Sequence, residues 1–413
     1  MSEVTIKSIK AKEASLSMAL VSTEVKNNFL KSLAMLLREQ SLSILEENTK
    51  DLDANQDLLS PSLMDRLRLN ESRIEAMAKG CEDIIELDDP NGSVIEQFTR
   101  PNGLEIQKIH VPLGVIAMIY EARPNVTIDA AALCLKAGNA VILRGGKEAY
   151  HSNRILVKLI KEALIKQAIS PESVQFIEDN DRALATELMQ DREHIDVLIP
   201  RGSARLIQSV IDNAKVPVLE TGVGNCHIYV ESSADLNKAL AIVINAKCSR
   251  PGVCNAAEKC LVDRAIAQSF LERLLPALEE AGVEVRACAE TKQLFPEVNL
   301  ATEEDWDIEY LDLILGIKIV DDVDAAIKHI QRYSTKHSEA IVTNDFEIAQ
   351  RFQREIDAAA VYVNASTRFT DGSEFGYGAE IGISTQKLHT RGPMGLNELC
   401  TIKYLINGDG HVR

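Results

Sequence analysis

Residues 114–149 read GVIAMIYEARPNVTIDAAALCLKAGNAVILRGGKEA. The run GVIAMIY is apolar throughout and short, which fits a strand buried on both faces. TIDAAALCLKA at 127–137 reads as a helix, and Gly138-Asn139 ends it. AVILR at 140–144 is a second short apolar run. Strand and helix in alternation imply a parallel sheet with helices on both faces. Such sheets bind ligands at the carboxyl ends of their strands.

The alternation continues downstream. VQFIE (174–178), IDVLI (195–199) and PVLE (217–220) read as strands, with helical runs at 149–167, 181–190 and 203–214. A second series follows, with strands HIYVE (227–231), KCLVD (259–263), LGIKIV (315–320), SEAIVT (338–343) and AAVYVN (359–364). Its helices fall at 235–248, 265–281 and 323–333. The fold class is therefore α/β, with two parallel-sheet domains. Upstream, residues 8–80 carry apolar residues at helical spacing. Asn102-Gly103 sits between short alternating runs and reads as a β-hairpin. TIKYLIN (401–407) is a lone terminal strand, free to pair with that hairpin or with another subunit.

Composition narrows the function. Of 413 residues, 46% are apolar and 26% charged, as in ordinary globular proteins. No apolar stretch reaches the ~18 residues of a membrane span, and the N-terminus lacks the apolar core of a signal peptide. The expectation is a cytoplasmic protein with no membrane partner. A net charge of −17 argues against nucleic acid as partner but leaves room for a small anionic substrate. The eight cysteines form no CxxC pair, so neither a disulfide framework nor a metal site is expected.

One thiol stands apart. In SRPGVCNAAEKC (249–260), Cys254 sits on a turn between two elements, with Arg250 close by. A helix start and a cation both favour the thiolate, the nucleophilic form. Cys134 and Cys260 fall at packing positions instead. Asn125 follows the first strand at the ligand-binding edge of its sheet. Its amide can donate to an oxyanion, or it can cap the helix. The turns RGGKEA and RGSARL each follow a strand and enter a helix, where backbone N–H groups can face phosphate; each can equally be a plain tight turn.

Taken together, these stretches resemble the aldehyde dehydrogenase superfamily, and within it the branch acting on glutamyl 5-phosphate. The most specific blocks are the segment quoted first, VLETGVGNCHIYV, SRPGVCNAAEK, SEAIVT and FGYGAEIGISTQKLHTRGPMGL. The resemblance implies a cofactor domain at 1–98 and 116–224 and a catalytic domain at 225–370. It also implies a small β oligomerisation flap from 99–115 and 398–413. By the same resemblance Cys254 is the catalytic thiol and Asn125 the oxyanion donor. Gly202 and Ser203 lie beneath the cofactor pyrophosphate. Glu309 holds the nicotinamide ribose, although the FGP that usually follows it is absent. Glu220 matches the glutamate that activates water in hydrolytic members and borders the cofactor site.

The implied reaction is NADPH-dependent reduction of L-glutamyl 5-phosphate to L-glutamate 5-semialdehyde through a cysteine thioester, in proline biosynthesis. A glutamate kinase would supply the acyl phosphate and is a candidate partner, and a homo-oligomer is expected. Relatives that prefer NAD place a glutamate three residues after the lysine ending the AVILR-like strand. Here those positions are Arg144 and Lys147, two cations suited to a 2′-phosphate, which points to NADP(H). Arg123, Arg250, His389 and Arg391 are candidates for the anionic ends of the substrate, with surface ion pairs as the other reading. Two rival functions remain: a hydrolytic or coenzyme A-acylating member of the superfamily, and a non-catalytic binding protein with this fold.

Overall fold

The computed structural model describes the backbone of residues 1–413 and every side chain except those of residues 61 and 62. The chain forms two units: Met1–Thr221 with Gly376–Gly382 and Met394–Arg413, and Gly222–Phe375 with Ile383–Pro393.

The first unit opens with α1 (Glu3–Met18), α2 (Thr23–Glu39), α3 (Ser41–Asn55), α4 (Pro61–Leu67) and α5 (Glu71–Ile85). Ser2, Ser22 and Asn70 start three of them, each accepting a first-turn N–H on its side chain. After the hairpin strands β1 (Val94–Thr99) and β2 (Glu105–Pro112) come β3 (Val115–Tyr120), α6 (Pro124–Lys136), β4 (Ala140–Gly145) and α7 (Tyr150–Lys166). Then follow β5 (Val174–Phe176), α8 (Arg182–Gln190), β6 (Val197–Arg201) and α9 (Ala204–Asn213). The four later strands form a parallel sheet in the order β5-β4-β3-β6. All of β3 is buried, which explains its unbroken apolar run. Gly138 ends α6 at φ +87, and a Cβ there would approach the Pro112 ring to 2.7 Å.

The second unit runs β7 (Cys226–Val230), α10 (Leu236–Cys248), β8 (Ala257–Asp263), α11 (Ala267–Glu280), β9 (Glu284–Ala287), α12 (Ala289–Leu294) and β10 (Asn299–Leu300). It continues through β11 (Ile314–Val320), α13 (Val323–Tyr333), β12 (Ser338–Val342), α14 (Phe346–Glu355) and β13 (Ala360–Val363). These strands make a seven-stranded parallel sheet ordered β10-β9-β11-β8-β7-β12-β13. One core packs α10 and α11 against this sheet, and a separate one packs α13 and α14. Two short strands, β14 (Ile383–Ser384) and β15 (Gly392–Pro393), pair with each other.

The terminal strand β16 (Cys400–Asn407) pairs antiparallel with β2, so the hairpin gains its third strand from the same chain. The expected strand at 217–220 is absent as such. Only an isolated bridge joins Val218 to Leu198. The stretch contains Pro217, which lacks an N–H for a continuous ladder.

Candidate active site

At the carboxyl edge of the first sheet, Tyr120 pairs in register with Gly145 and Arg201. This edge carries Arg144 near the end of β4, Lys147 just after it, Arg123 and Asn125 at the start of α6, and Gly202 and Ser203 between β6 and α9. Arg123 occupies the cap position of α6 and makes no side-chain cap bond. Asn125 lies inside the first turn, exposed, so the cap reading is wrong: its amide instead donates to Asp129 Oδ2 at 3.0 Å. Burial pushes the Asp129 carboxyl up to about 6, against the pull of this hydrogen bond and of Arg201.

Both glycine turns face a carboxylate of their own unit. Glu121 accepts the Ser203 N–H at 2.7 Å and the Ser203 hydroxyl at 3.1 Å, and a Cβ on Gly202 would lie 2.6 Å from it. Glu148 accepts the Ala122 N–H at 2.7 Å and crowds Gly146, where a Cβ would overlap it. Ser203 also caps α9 through Leu206 N. The Ser203 amide thus already holds an anionic group. Lys147 is exposed on the short helical turn after β4. Arg144 donates to the carbonyls of Asn180 and Asp181 at 3.4 and 2.8 Å, while its buried Nε has no partner. Glu220 is half-buried just beyond Val218.

In the second unit the thiol turn lies at the amino-terminal edge of the sheet. Cys254 and Asn255 precede β8, and Gly224 precedes β7. Glu309 precedes β11, in a segment that folds back over the same edge. A Cβ on Gly224 would overlap the Cys254 carbonyl, so only glycine fits there. Glu309 accepts the Gly224 N–H at 2.7 Å, and the Cys226 thiol donates to the Cys254 carbonyl at 3.2 Å. Glu309 is fixed from both sides. Leu311 N–H donates to Glu258 at 3.2 Å, and Lys259 donates to the Ile308 carbonyl at 2.8 Å. Glu258 in turn pairs with Lys247 at 2.9 Å, both side chains fully buried. Burial pushes Glu258 up and Lys259 down.

Cys254 is half-buried. Burial pushes the thiols of Cys134, Cys226 and Cys260 up, which marks them as packing residues. Asn255 is buried: its amide donates to the carbonyls of Arg368 and Thr370, and the Thr367 hydroxyl donates to its own carbonyl. Arg250 is exposed on the turn. His389 is exposed with φ +69. Arg391 bonds Asp357 at 2.7 Å beside Lys387 at 2.8 Å, the ion-pair reading of that residue.

A sequence profile described as "Aldehyde dehydrogenase family" matches residues 2–301. The chain belongs to the aldehyde dehydrogenase family. Within it, the chain falls among the γ-glutamyl phosphate reductases. It is 57% identical over 412 residues to the Clostridium perfringens γ-glutamyl phosphate reductase, covering 100% of this chain and 99% of that one. The crystal structure of γ-glutamyl phosphate reductase from Thermotoga maritima superposes with a TM-score of 0.97 at 52% identity, over the whole of both chains. An acetylating aldehyde dehydrogenase from Geobacillus thermoglucosidasius shares the fold at 17% identity, TM-score 0.72, over 100% of this chain and 97% of that one.

Family membership and geometry together sort the residues named from sequence. Asn125, Arg123, Arg144, Lys147, Gly202 and Ser203 share one sheet edge of the first unit, and Cys254, Glu309 and Arg250 belong to the second. Arg368 is a neighbour of the thiol turn that sequence reading missed. It lies on a short helical turn, Thr367–Phe369, after β13, with no motif spacing to link it to Cys254. Glu121 was equally silent, because a glutamate before ARPN reads as a solvated charge.

Proposed function

We propose that the chain reduces L-glutamyl 5-phosphate to L-glutamate 5-semialdehyde and phosphate, with NADPH as reductant and a thioester on Cys254 as intermediate. The observation that carries this reading is its full-length similarity to γ-glutamyl phosphate reductases, beside a half-buried thiol, Cys254, on a braced turn. Cys254 Sγ attacks the acyl carbonyl and expels phosphate, leaving a thioester. Asn125 Nδ2 donates to the oxyanion as it forms, and Asp129 fixes the orientation of that amide. Bound NADPH supplies the hydride that reduces the thioester. Cys254 then leaves as thiolate when the thiohemiacetal collapses to the aldehyde. Glu220 has no step to perform here, since no water is activated.

The residues suit the cofactor. The Ser203 amide and hydroxyl donate to an anionic group, as their bonds to Glu121 show, and would meet the pyrophosphate. Glu309, held beside Gly224, is the residue for the nicotinamide ribose. Lys147 is the accessible cation for a 2′-phosphate, and Arg144 supports it from a guanidinium already tied to two carbonyls. Arg123, Arg250 and His389 remain the candidate anchors for the anionic ends of the substrate. The β1-β2-β16 sheet leaves Phe98, Ile402, Tyr404 and Ile406 exposed, which favours a second copy of the chain as its cover. No helix among the described residues is long and apolar enough to cross a membrane, and we place the enzyme in the cytoplasm, where a glutamate kinase would supply its substrate.

The test compares kcat/KM for NADP⁺ and NAD⁺ in oxidation of glutamate 5-semialdehyde with phosphate, for wild type and Lys147→Glu. Wild type should prefer NADP⁺. The variant should shift that preference by roughly one to two decades, as one charge-assisted contact of about 1.5–3 kcal/mol turns repulsive. An unchanged ratio removes Lys147 from the cofactor site, and no turnover with either cofactor overturns the function.

A further inference from the structure

The Cys254 turn is bonded to a cation that neither the mechanism nor the sequence reading uses. Arg368 Nε donates to the Ser249 hydroxyl at 3.1 Å, five residues before the thiol. Its Nη1 donates to Asn255 Oδ1, on the residue directly after the thiol. The Arg368 carbonyl accepts the Asn255 amide at 3.3 Å, so residues 255 and 368 are joined by two side-chain bonds in opposite directions. Thr367 adds a third bond, to the Asn255 carbonyl at 2.7 Å. The guanidinium therefore spans the turn from Ser249 to Asn255, with Cys254 between its two anchors. A planar fork with several donors can make both bonds at once and still keep its charge.

We propose that Arg368 is a positioning residue for Cys254: it clamps the thiol turn at both ends and supplies the fixed positive charge that favours the thiolate. The proposal deepens the reading of Cys254 as nucleophile and rests on it for its catalytic meaning. A cation near a thiol lowers the cost of ionising it, and a half-buried position strengthens that attraction over its value in water. The charged surroundings agree in direction. Burial holds the Arg368 guanidinium below its usual range and Arg250 adds to this, while Asp371, Cys254 and Glu374 each favour its charged form. Arg250 on the turn adds a second cation. On β7 the thiol of Cys226 faces the Cys254 backbone, pushed up by burial and hence neutral, with His337 Nδ1 3.9 Å from its sulfur. Asp371 and Glu374 are the acidic groups that act on Arg368, and Arg250 is the cationic one.

A clamp and a charge give different results when separated. Arg368→Lys keeps the charge and loses the fork; Arg368→Gln loses the charge and keeps one donor. The measurement is the rate of iodoacetamide alkylation at the Cys254 peptide against pH, followed by mass spectrometry on the folded enzyme. We expect the midpoint to rise by about one pH unit in Arg368→Gln and to stay near wild type in Arg368→Lys. Both variants should lose kcat more than they raise KM, because the turn is loosened in each. Equal midpoints in all three proteins, or equal shifts in both variants, would overturn the proposal. If alkylating Cys254 left turnover intact, the nucleophile assignment would fall separately, while the midpoints would still decide whether Arg368 sets its ionisation.

Discussion

Cys254→Ser is expected to fold like the wild type and lose nearly all turnover. The side chain is half-buried on a turn whose backbone is fixed by Gly224, Cys226 and Asn255, so a change from thiol to hydroxyl removes none of those contacts. A serine hydroxyl at its free pKa is a poor nucleophile without an adjacent base. The seven other cysteines give the control. Cys260 is fully buried on β8, where burial pushes its thiol up to about 12, so Cys260→Ser should cost stability and leave chemistry intact. Substantial activity in Cys254→Ser, with loss in the Cys248 or Cys260 variant, would mean that another thiol is the nucleophile.

Asn125→Ala should lower kcat by about 10²–10³, the usual effect of removing one oxyanion donor. Its melting temperature should change little. The side chain is exposed in the first turn of α6 and caps nothing; its bond within its own unit goes to Asp129. A cap residue would behave in the opposite way, losing about 1 kcal/mol of stability with kcat kept. Both quantities are read from one variant, and a kcat within twofold of wild type would exclude Asn125 as the oxyanion donor.

The parallel sheets are legible in the sequence wherever a strand is central and buried on both faces. β3 and β4 are such strands and read as short apolar runs, while β8 and β12 are as deeply buried although Glu258, Lys259 and Glu339 interrupt their apolar residues. The signal fails at the margins. β9 and β10 are short, partly exposed strands at the edge of the second sheet, and their residues show no apolar block. The helix α14 has a strongly polar sequence with only Ala349 and Phe352 buried, too few to mark a face. PVLE has the composition of a strand and only one bridge, since Pro217 lacks an N–H for a continuous ladder.

The site divides in the same way. Cys254, the two glycine turns and Asn125 announce themselves as turn-borne polar residues between regular elements. Their partners do not. Glu258, Lys247 and Lys259 look like ordinary charges around a strand, yet they are buried and fix the segment that carries Glu309. The thiol turn also sits at the amino-terminal edge of its sheet, whereas the general expectation for α/β sheets is the carboxyl edge. That placement follows from which strands a turn precedes, which becomes visible only once the strand order is known.

The central claim is that a Cys254 thioester exchanges its acyl group with phosphate and not with water or coenzyme A. The direct measurement is the initial rate of NADP⁺ reduction by glutamate 5-semialdehyde with phosphate, with coenzyme A, or with neither. Saturable dependence on phosphate is predicted, with little turnover in the other two cases and none in Cys254→Ser. A rate independent of phosphate would instead make the enzyme hydrolytic, with Glu220 as the residue to examine, and a rate that required coenzyme A would make it acylating; either result would contradict the account.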